Sequence, residues 1–168
     1  CVPVHIKNKQ DLTFFDNCMK SIQNQIFEDY EIIVSVQDLT TYQKVKEYDD
    51  KIKIFYINTD NHIDNWNNCL KNATGEYIHL LHMDDKYMNN NSLSIMLKQL
   101  QDDNKDWLIT SCLNVKVKDN IETPVNVVIP AEIYNYYSFL YNVVNGINLY
   151  GNPSTILYKN VDIYYDNQ

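Results

Sequence analysis

Asp84 and Asp85 stand side by side at the end of a short apolar run, Gly75-Glu76-Tyr77-Ile78-His79-Leu80-Leu81-His82-Met83. Neighbouring carboxylates are hard oxygen donors and suit a divalent cation. Mg²⁺ in particular is commonly held by one or two carboxylates together with substrate phosphates. His82 offers an imidazole nitrogen two residues before Asp84, a donor that suits Mn²⁺ or Zn²⁺ better than Mg²⁺. A plainer reading competes. Asp residues often cap helices, and Asn89 to Leu100 has a helical pattern. A single His at a strand end is commonly a hydrogen-bonded structural group. The two readings part on whether other polar strand ends reach the same edge.

A run opened by glycine and closed by acids reads as a buried strand. Upstream, Val2 to Ile6, Tyr30 to Val36 and Ile52 to Ile57 read as three more strands. Helical spacing separates them. The first helix starts near Asp11, its expected cap, with Leu12, Phe15, Cys18, Met19 and Ile22 on one face. The others cover Thr41 to Tyr48 and Ile63 to Ala73. Strand and helix in alternation predict a parallel sheet with right-handed crossovers. Downstream the pattern changes. Trp107 to Val117 reads as one long strand, Asp119-Asn120 as a turn, and Val125 to Ile129 as a hairpin partner. Ala131 to Tyr141 reads as a helix, and Thr155 to Tyr158 as a last strand. The expected architecture is a single α/β domain over residues 1–168, with a mostly parallel central sheet flanked by helices and a mixed second half.

In such sheets ligands bind just outside the carboxyl ends of the strands. Lys7, Asn8 and Lys9, then Gln37 and Asp38, then Asn61, and finally His82, Asp84 and Asp85 all fall at such ends. The lysines would offset diphosphate charge, the amides and Asp38 would hydrogen-bond a base or ribose, and the acids would hold the metal.

Bulk properties narrow the classes. A formal net charge of −8 argues against a general nucleic-acid binder, whose footprint is a basic face. Three glycines leave no glycine-rich phosphate loop, which sets aside dehydrogenase and P-loop readings. No apolar run reaches the roughly 20 residues of a membrane helix. The four cysteines are widely spaced, so structural zinc and a disulfide framework are not expected, and Cys18 and Cys69 read as buried thiols.

Several segments, in order, resemble the family 2 glycosyltransferases of the GT-A (Rossmann-like) fold. Cys18-Met19-Lys20-Ser21-Ile22-Gln23-Asn24-Gln25 is similar to the family's C-L-x-S-I-x-x-Q, and Tyr30-Glu31-Ile32-Ile33-Val34 follows. Asn65-Trp66-Asn67 leads through Ala73 into Gly75-Glu76-Tyr77-Ile78, His82-Met83-Asp84-Asp85 stands where the family has D-x-D-D, and Asn152-Pro153-Ser154 is similar to its G-x-P-S. The resemblance implies inverting transfer of a sugar from a nucleotide-diphospho-sugar, with a UDP-sugar favoured, to a carbohydrate or lipid-linked glycan acceptor. It implies a Mn²⁺ or Mg²⁺ cofactor on Asp84 and Asp85, with His82 as a third ligand, and adds Asn65 and Asp84 to the donor-binding set. It implies surface polysaccharide or glycan synthesis, in the cytoplasm or at the inner face of the membrane. Residues 1–85 would form the nucleotide-sugar half and 86–168 the acceptor side. The chain departs from the pattern where Lys7-Asn8-Lys9-Gln10 replaces P-x-Y-N, where Val36 and Gln37 replace acids, and where His82 replaces Asp. The family's base lies in an E-D pair, and neither Asp162 nor Asp166 sits in such a motif. The general base is therefore expected beyond Gln168, and a non-catalytic nucleotide-sugar binding module or inactive fragment is the alternative.

Overall fold

The computed structural model describes residues 1–48, 52–118, 121–128, 152–161 and 164–165. The chain divides into two compact units, Cys1–Leu108 with Leu157–Gln168, and Ile109–Ile156.

The first unit is built on three parallel strands, β1 (Val2–Val4), β2 (Ile32–Val36) and β3 (Ile52–Tyr56), in the order β1-β2-β3. Their registers pair Val2 with Val34 and Ile32 with Ile52. Every residue of β2 is buried, as its unbroken apolar run requires of a central parallel strand covered on both faces. The fourth strand, β4 (Tyr77–His79), joins beside β1: the Cys1 nitrogen donates to the His79 carbonyl (2.9 Å), and Leu81 N–H donates to the Cys1 carbonyl (2.9 Å).

The helices are α1 (Lys9–Gln23), α2 (Leu39–Val45), α3 (His62–Asn72) and α4 (Ser92–Asp102). Helix α1 buries Phe15, Cys18, Met19 and Ile22 against β1 and β2, together with Leu81. Its start differs from expectation. The cap is Asn8, whose Oδ1 accepts from the Gln10 and Asp11 amides, while Asp11 Oδ2 accepts in return from the Lys7 and Asn8 amides. Asp11 therefore serves as the second half of a capping box, three residues into the helix.

Glu31 fastens the amino-terminal edge of the sheet. Its carboxylate accepts from Lys53 on β3 (2.7 Å) and from the Thr74 N–H (2.6 Å), Thr74 hydroxyl (2.9 Å) and Gly75 N–H (3.0 Å) ahead of β4. Partial burial pushes the Glu31 pKa up, but Lys53 and Thr74 outweigh it and hold the group down at about 2. A carboxyl with a depressed folded-state pKa stabilises fully above its unfolded value, and that contribution is lost as pH falls from about 4.5 toward 2. The Lys53 side chain is 56% exposed, so solvent screens the pair. Glu31→Gln is expected to cost about 1–2 kcal/mol at pH 7 and to flatten the acid limb of a melting-temperature series. An unchanged acid limb would remove Glu31 from this role.

The expected long strand from Trp107 is broken. Strand β5 (Trp107–Ile109) lies beside β8 (Ile156–Lys159), which pairs antiparallel with β4, whereas β6 (Cys112–Lys118) pairs with β7 (Ile121–Val128). The exchange of partners occurs at Thr110, whose N–H and hydroxyl both donate to the Thr155 carbonyl. Apolar periodicity cannot register a change of partner. In the β6–β7 hairpin the register slips between Asn114 and Val115, opposite Pro124, which has no N–H to give a ladder. The expected turn at Asp119-Asn120 and helix at Ala131 to Tyr141 lie outside the described residues.

Candidate functional site

The parallel sheet presents the ends of β1 and β2 at one edge, and the first turns of α1 and α2 begin there. Beyond β4 the chain makes a tight turn in which Asp85 N–H donates to the His82 carbonyl (3.0 Å). That turn gathers three side chains. One ligand atom each from His82, Asp84 and Asp85 lie within 4.8 Å of one another. Opposite ligands on an octahedral ion at about 2.1 Å are roughly 4.2 Å apart, so small side-chain rotations close the set on a metal. Helix α4 begins at Ser92 behind Asn91, so neither acid caps it.

The turn is clamped from beneath. The Cys18 thiol donates to the His82 carbonyl (3.6 Å), and His5 N–H donates to Met83 Sδ (3.4 Å). Ser21 Oγ accepts from Tyr87 N–H (3.1 Å). Gln25 is buried; its amide nitrogen donates to the Asn89 carbonyl (2.7 Å) and its oxygen accepts from Leu93 N–H (3.0 Å). The segment that leaves the acids is thus held by three side chains of, or next to, α1. Burial drives the Cys18 and Cys69 thiols up to about 12, which keeps both protonated and unreactive.

His82 packs against Trp66 of α3 in a tilted arrangement, at 4.9 Å between ring centroids and 33° between planes. Trp66 also meets His62 (5.1 Å) and Tyr165 (5.1 Å) edge-on. Burial lowers the His82 pKa, Asp85 and Asp84 oppose that, and His62 reinforces it. The net effect favours the neutral imidazole, the form that ligates a metal.

The remaining candidates share a structural duty. Asn8, Asp38 and Asn61 are the N-caps of α1, α2 and α3. Asp38 commits both oxygens, one to Thr41 N–H (2.8 Å) and one to Thr41 Oγ1 (2.7 Å), with His5 Nδ1 at 3.6 Å. Burial pushes the Asp38 pKa up, but these Thr41 hydrogen bonds outweigh it and hold the carboxyl below its ordinary value. Thr41 Oγ1 in turn accepts from Ile6 N–H (3.1 Å), which ties the end of β1 to α2. Gln37 is buried and donates to the Thr59 carbonyl (3.4 Å) across the ends of β2 and β3. Lys7 and Lys9 are exposed beside the first turn of α1.

Asn65 departs from the donor-binding expectation. It is 3% exposed, and its amide is best satisfied with nitrogen toward Ser35 O (3.2 Å) and Oγ (2.7 Å) and oxygen toward Val4 N–H (3.3 Å). It cross-ties β1 and β2 beneath α3. Its neighbour Asn67 exchanges two 2.8 Å hydrogen bonds with the Tyr165 backbone. A cavity of about 480 Å³ opens at the opposite, amino-terminal edge, lined by Val2, Glu31, Tyr77, His79 and Tyr87 among others. It lies at the starts of the strands rather than at the acids, and has no part in this site.

Comparison with known proteins accords with this geometry. The sequence matches the profile of "Glycosyl transferase family 2" over residues 1–163. It is 36% identical over 100 residues to the Campylobacter jejuni GalNAc(5)-diNAcBac-PP-undecaprenol beta-1,3-glucosyltransferase, covering 54% of this chain and 31% of that protein. S. aureus TarS 1-349 superposes on 98% of this chain with a TM-score of 0.66 at 19% identity, covering 49% of TarS 1-349. Its complexes with UDP and with UDP-GlcNAc align over 65% of this chain, each with a TM-score of 0.55. The chain spans about a third of the curated relative and half of TarS 1-349. The fold is that of a GT-A domain, and with its match running almost end to end the chain belongs to glycosyl transferase family 2.

Proposed function

We propose that the chain carries the donor and metal site of an inverting glycosyltransferase that takes a UDP-sugar and transfers the sugar to a hydroxyl of a lipid-linked glycan, at the cytoplasmic face of a membrane. The observation that carries this reading is the His82, Asp84 and Asp85 cluster on the turn beyond β4. The UDP complexes of TarS support a uridine donor, and the substrate named for the C. jejuni relative supports a lipid-linked acceptor in surface glycan synthesis. Among the described residues no helix is long and apolar enough to cross a membrane.

In the proposed reaction an acceptor oxygen attacks the anomeric carbon, the bond from that carbon to the diphosphate breaks with inversion, and the hydroxyl proton passes to a general base. Asp84 and Asp85, with His82, would hold a divalent cation, Mn²⁺ or Mg²⁺, whose contribution when bound is to neutralise the leaving diphosphate. Lys7 and Lys9 would add positive charge near the diphosphate, and Gln37, Asp38 and Asn61 would border the nucleoside, with Asn8 fixing the first turn of α1. Asn65 has no part in it.

Calorimetric titration of the chain with UDP and then GDP, each with and without Mn²⁺, tests the reading. UDP is expected to bind only with Mn²⁺, at least about tenfold more tightly than GDP, a difference of roughly 1.4 kcal/mol. Failure of both nucleotides to bind under every condition would sink it.

A further inference from the structure

The chain leaves β4 at His79, passes through the turn that carries the acids, and returns at Tyr87 to the side of His79. There His79 Nδ1 and the Tyr87 hydroxyl lie 2.5 Å apart, and the two rings pack at 5.4 Å between centroids. We propose that this pair is a positioning device for the donor site: a side-chain tie that closes the neck of the loop 80–86 and fixes how Asp84 and Asp85 are presented. This rests on the donor-site reading above and adds to it two residues that act through the loop rather than on a ligand.

Three observations carry the assignment. The two limbs of the loop are held differently. On the outgoing limb the backbone is tied to its neighbour, because Leu81 N–H donates to the Cys1 carbonyl (2.9 Å). The returning limb belongs to no strand or helix. Tyr87 anchors it just past the acids, with its N–H on Ser21 Oγ (3.1 Å) and its hydroxyl on His79. Packing alone does not fix that anchor. The Tyr87 ring rests against the cluster between α1 and the sheet and against that of Met96, Leu100 and Leu157, yet it and His79 both line the cavity of about 480 Å³. A ring with open space on one side lacks contacts there, so its hydrogen bond does more to set its place. The chemistry of the pair is also defined. Burial pushes the Tyr87 phenol up from its ordinary value, so it keeps its proton and donates to Nδ1 of a neutral imidazole. Removing either partner leaves the other unpaired in a half-buried place.

Tyr87→Phe keeps the ring and removes the tie. In the unliganded protein, amide hydrogen exchange at residues 82–86 is expected to quicken about tenfold, while the amides of β2 keep their rates. UDP affinity in the presence of Mn²⁺ should fall about tenfold, measured where the variant is fully folded. His79→Leu should reproduce both effects. His79→Asn, which puts an amide oxygen near the place of Nδ1, should keep both within about threefold of wild type. The double variant, His79→Leu with Tyr87→Phe, should lose no more than the worse single one, because one contact is removed in each case. A pair that served stability alone would lower the melting temperature and leave exchange at 82–86 and the affinity of the folded protein unmoved. That result, faster exchange with unchanged affinity, or losses that add in the double variant, would overturn the proposal and leave the donor site standing. Failure of the wild-type chain to bind UDP under any condition would sink the donor-site reading and the positioning role with it, and it is told apart because it shows before any substitution is made.

Discussion

Asp85→Ala is expected to weaken Mn²⁺-dependent UDP binding by at least about 100-fold while leaving the fold intact. Asp85 supplies one of the three ligand atoms gathered within 4.8 Å, and removing it takes away a full negative charge as well as a donor. Loss of a group that merely orients a metal ligand commonly costs 10–100-fold, so loss of a ligand itself should reach or exceed the upper end. The turn should survive, because the Asp85 backbone N–H still donates to the His82 carbonyl. The Asp85 side chain also lies outside the buried clusters that join the sheet to its helices. Melting temperature should therefore move little, and the calorimetric signal should carry the whole effect. In the intact enzyme the transfer rate should fall at least as far, because in the proposed reaction a cation held there would neutralise the leaving diphosphate. Nucleotide affinity that survives in Asp85→Ala, in a folded protein, would place the metal elsewhere.

What the sequence revealed follows from which forces are local. Alternating strands and helices were legible because each buries one apolar face against a neighbour, and the spacing of Phe15, Cys18, Met19 and Ile22 shows it directly. The grouping of His82, Asp84 and Asp85 was legible for a different reason: they lie within four residues, and one tight turn assembles them. The polar strand ends were legible as an edge but not as roles. A cap and a ligand contact ask for the same residue types, and Asn8, Asp38 and Asn61 all serve as caps. The burial of Asn65 was not legible because it depends on what packs against the residue, here Val4 of β1 and Ser35 of β2. The clamp formed by Cys18, Ser21 and Gln25 could be found only in three dimensions. Its partners, His82, Tyr87 and Asn89, are distant in the chain, although the motif that contains the clamp was visible.

Phe15→Ala should produce the largest loss of stability, about 3–5 kcal/mol, while leaving the intrinsic affinity of the site nearly unchanged. Phe15 is 0% exposed and meets Tyr48 edge-on at 5.0 Å, in the cluster that joins α1 to β1 and β2. Truncation removes the transfer free energy of the ring and leaves a cavity that α1, pinned at its start by the capping box and at its end by Gln25, cannot collapse to fill. For a total stability of roughly 5–15 kcal/mol this is a large fraction, and it corresponds to a fall of about 10 °C in melting temperature for a chain of this size. Phe15→Leu should cost less, about 1.5 kcal/mol, because most of the volume is kept. Urea unfolding measures both. At low temperature, where Phe15→Ala is still folded, Mn²⁺ and UDP should bind within about threefold of wild type, since Phe15 lies in the core between α1 and the sheet whereas the proposed ligands lie on the turn at His82 to Asp85. A loss below about 1 kcal/mol would mean that α1 does not dock on the sheet as described. A normal loss accompanied by collapsed affinity would mean that packing beneath α1, and not the turn's own backbone, sets the geometry of the metal ligands.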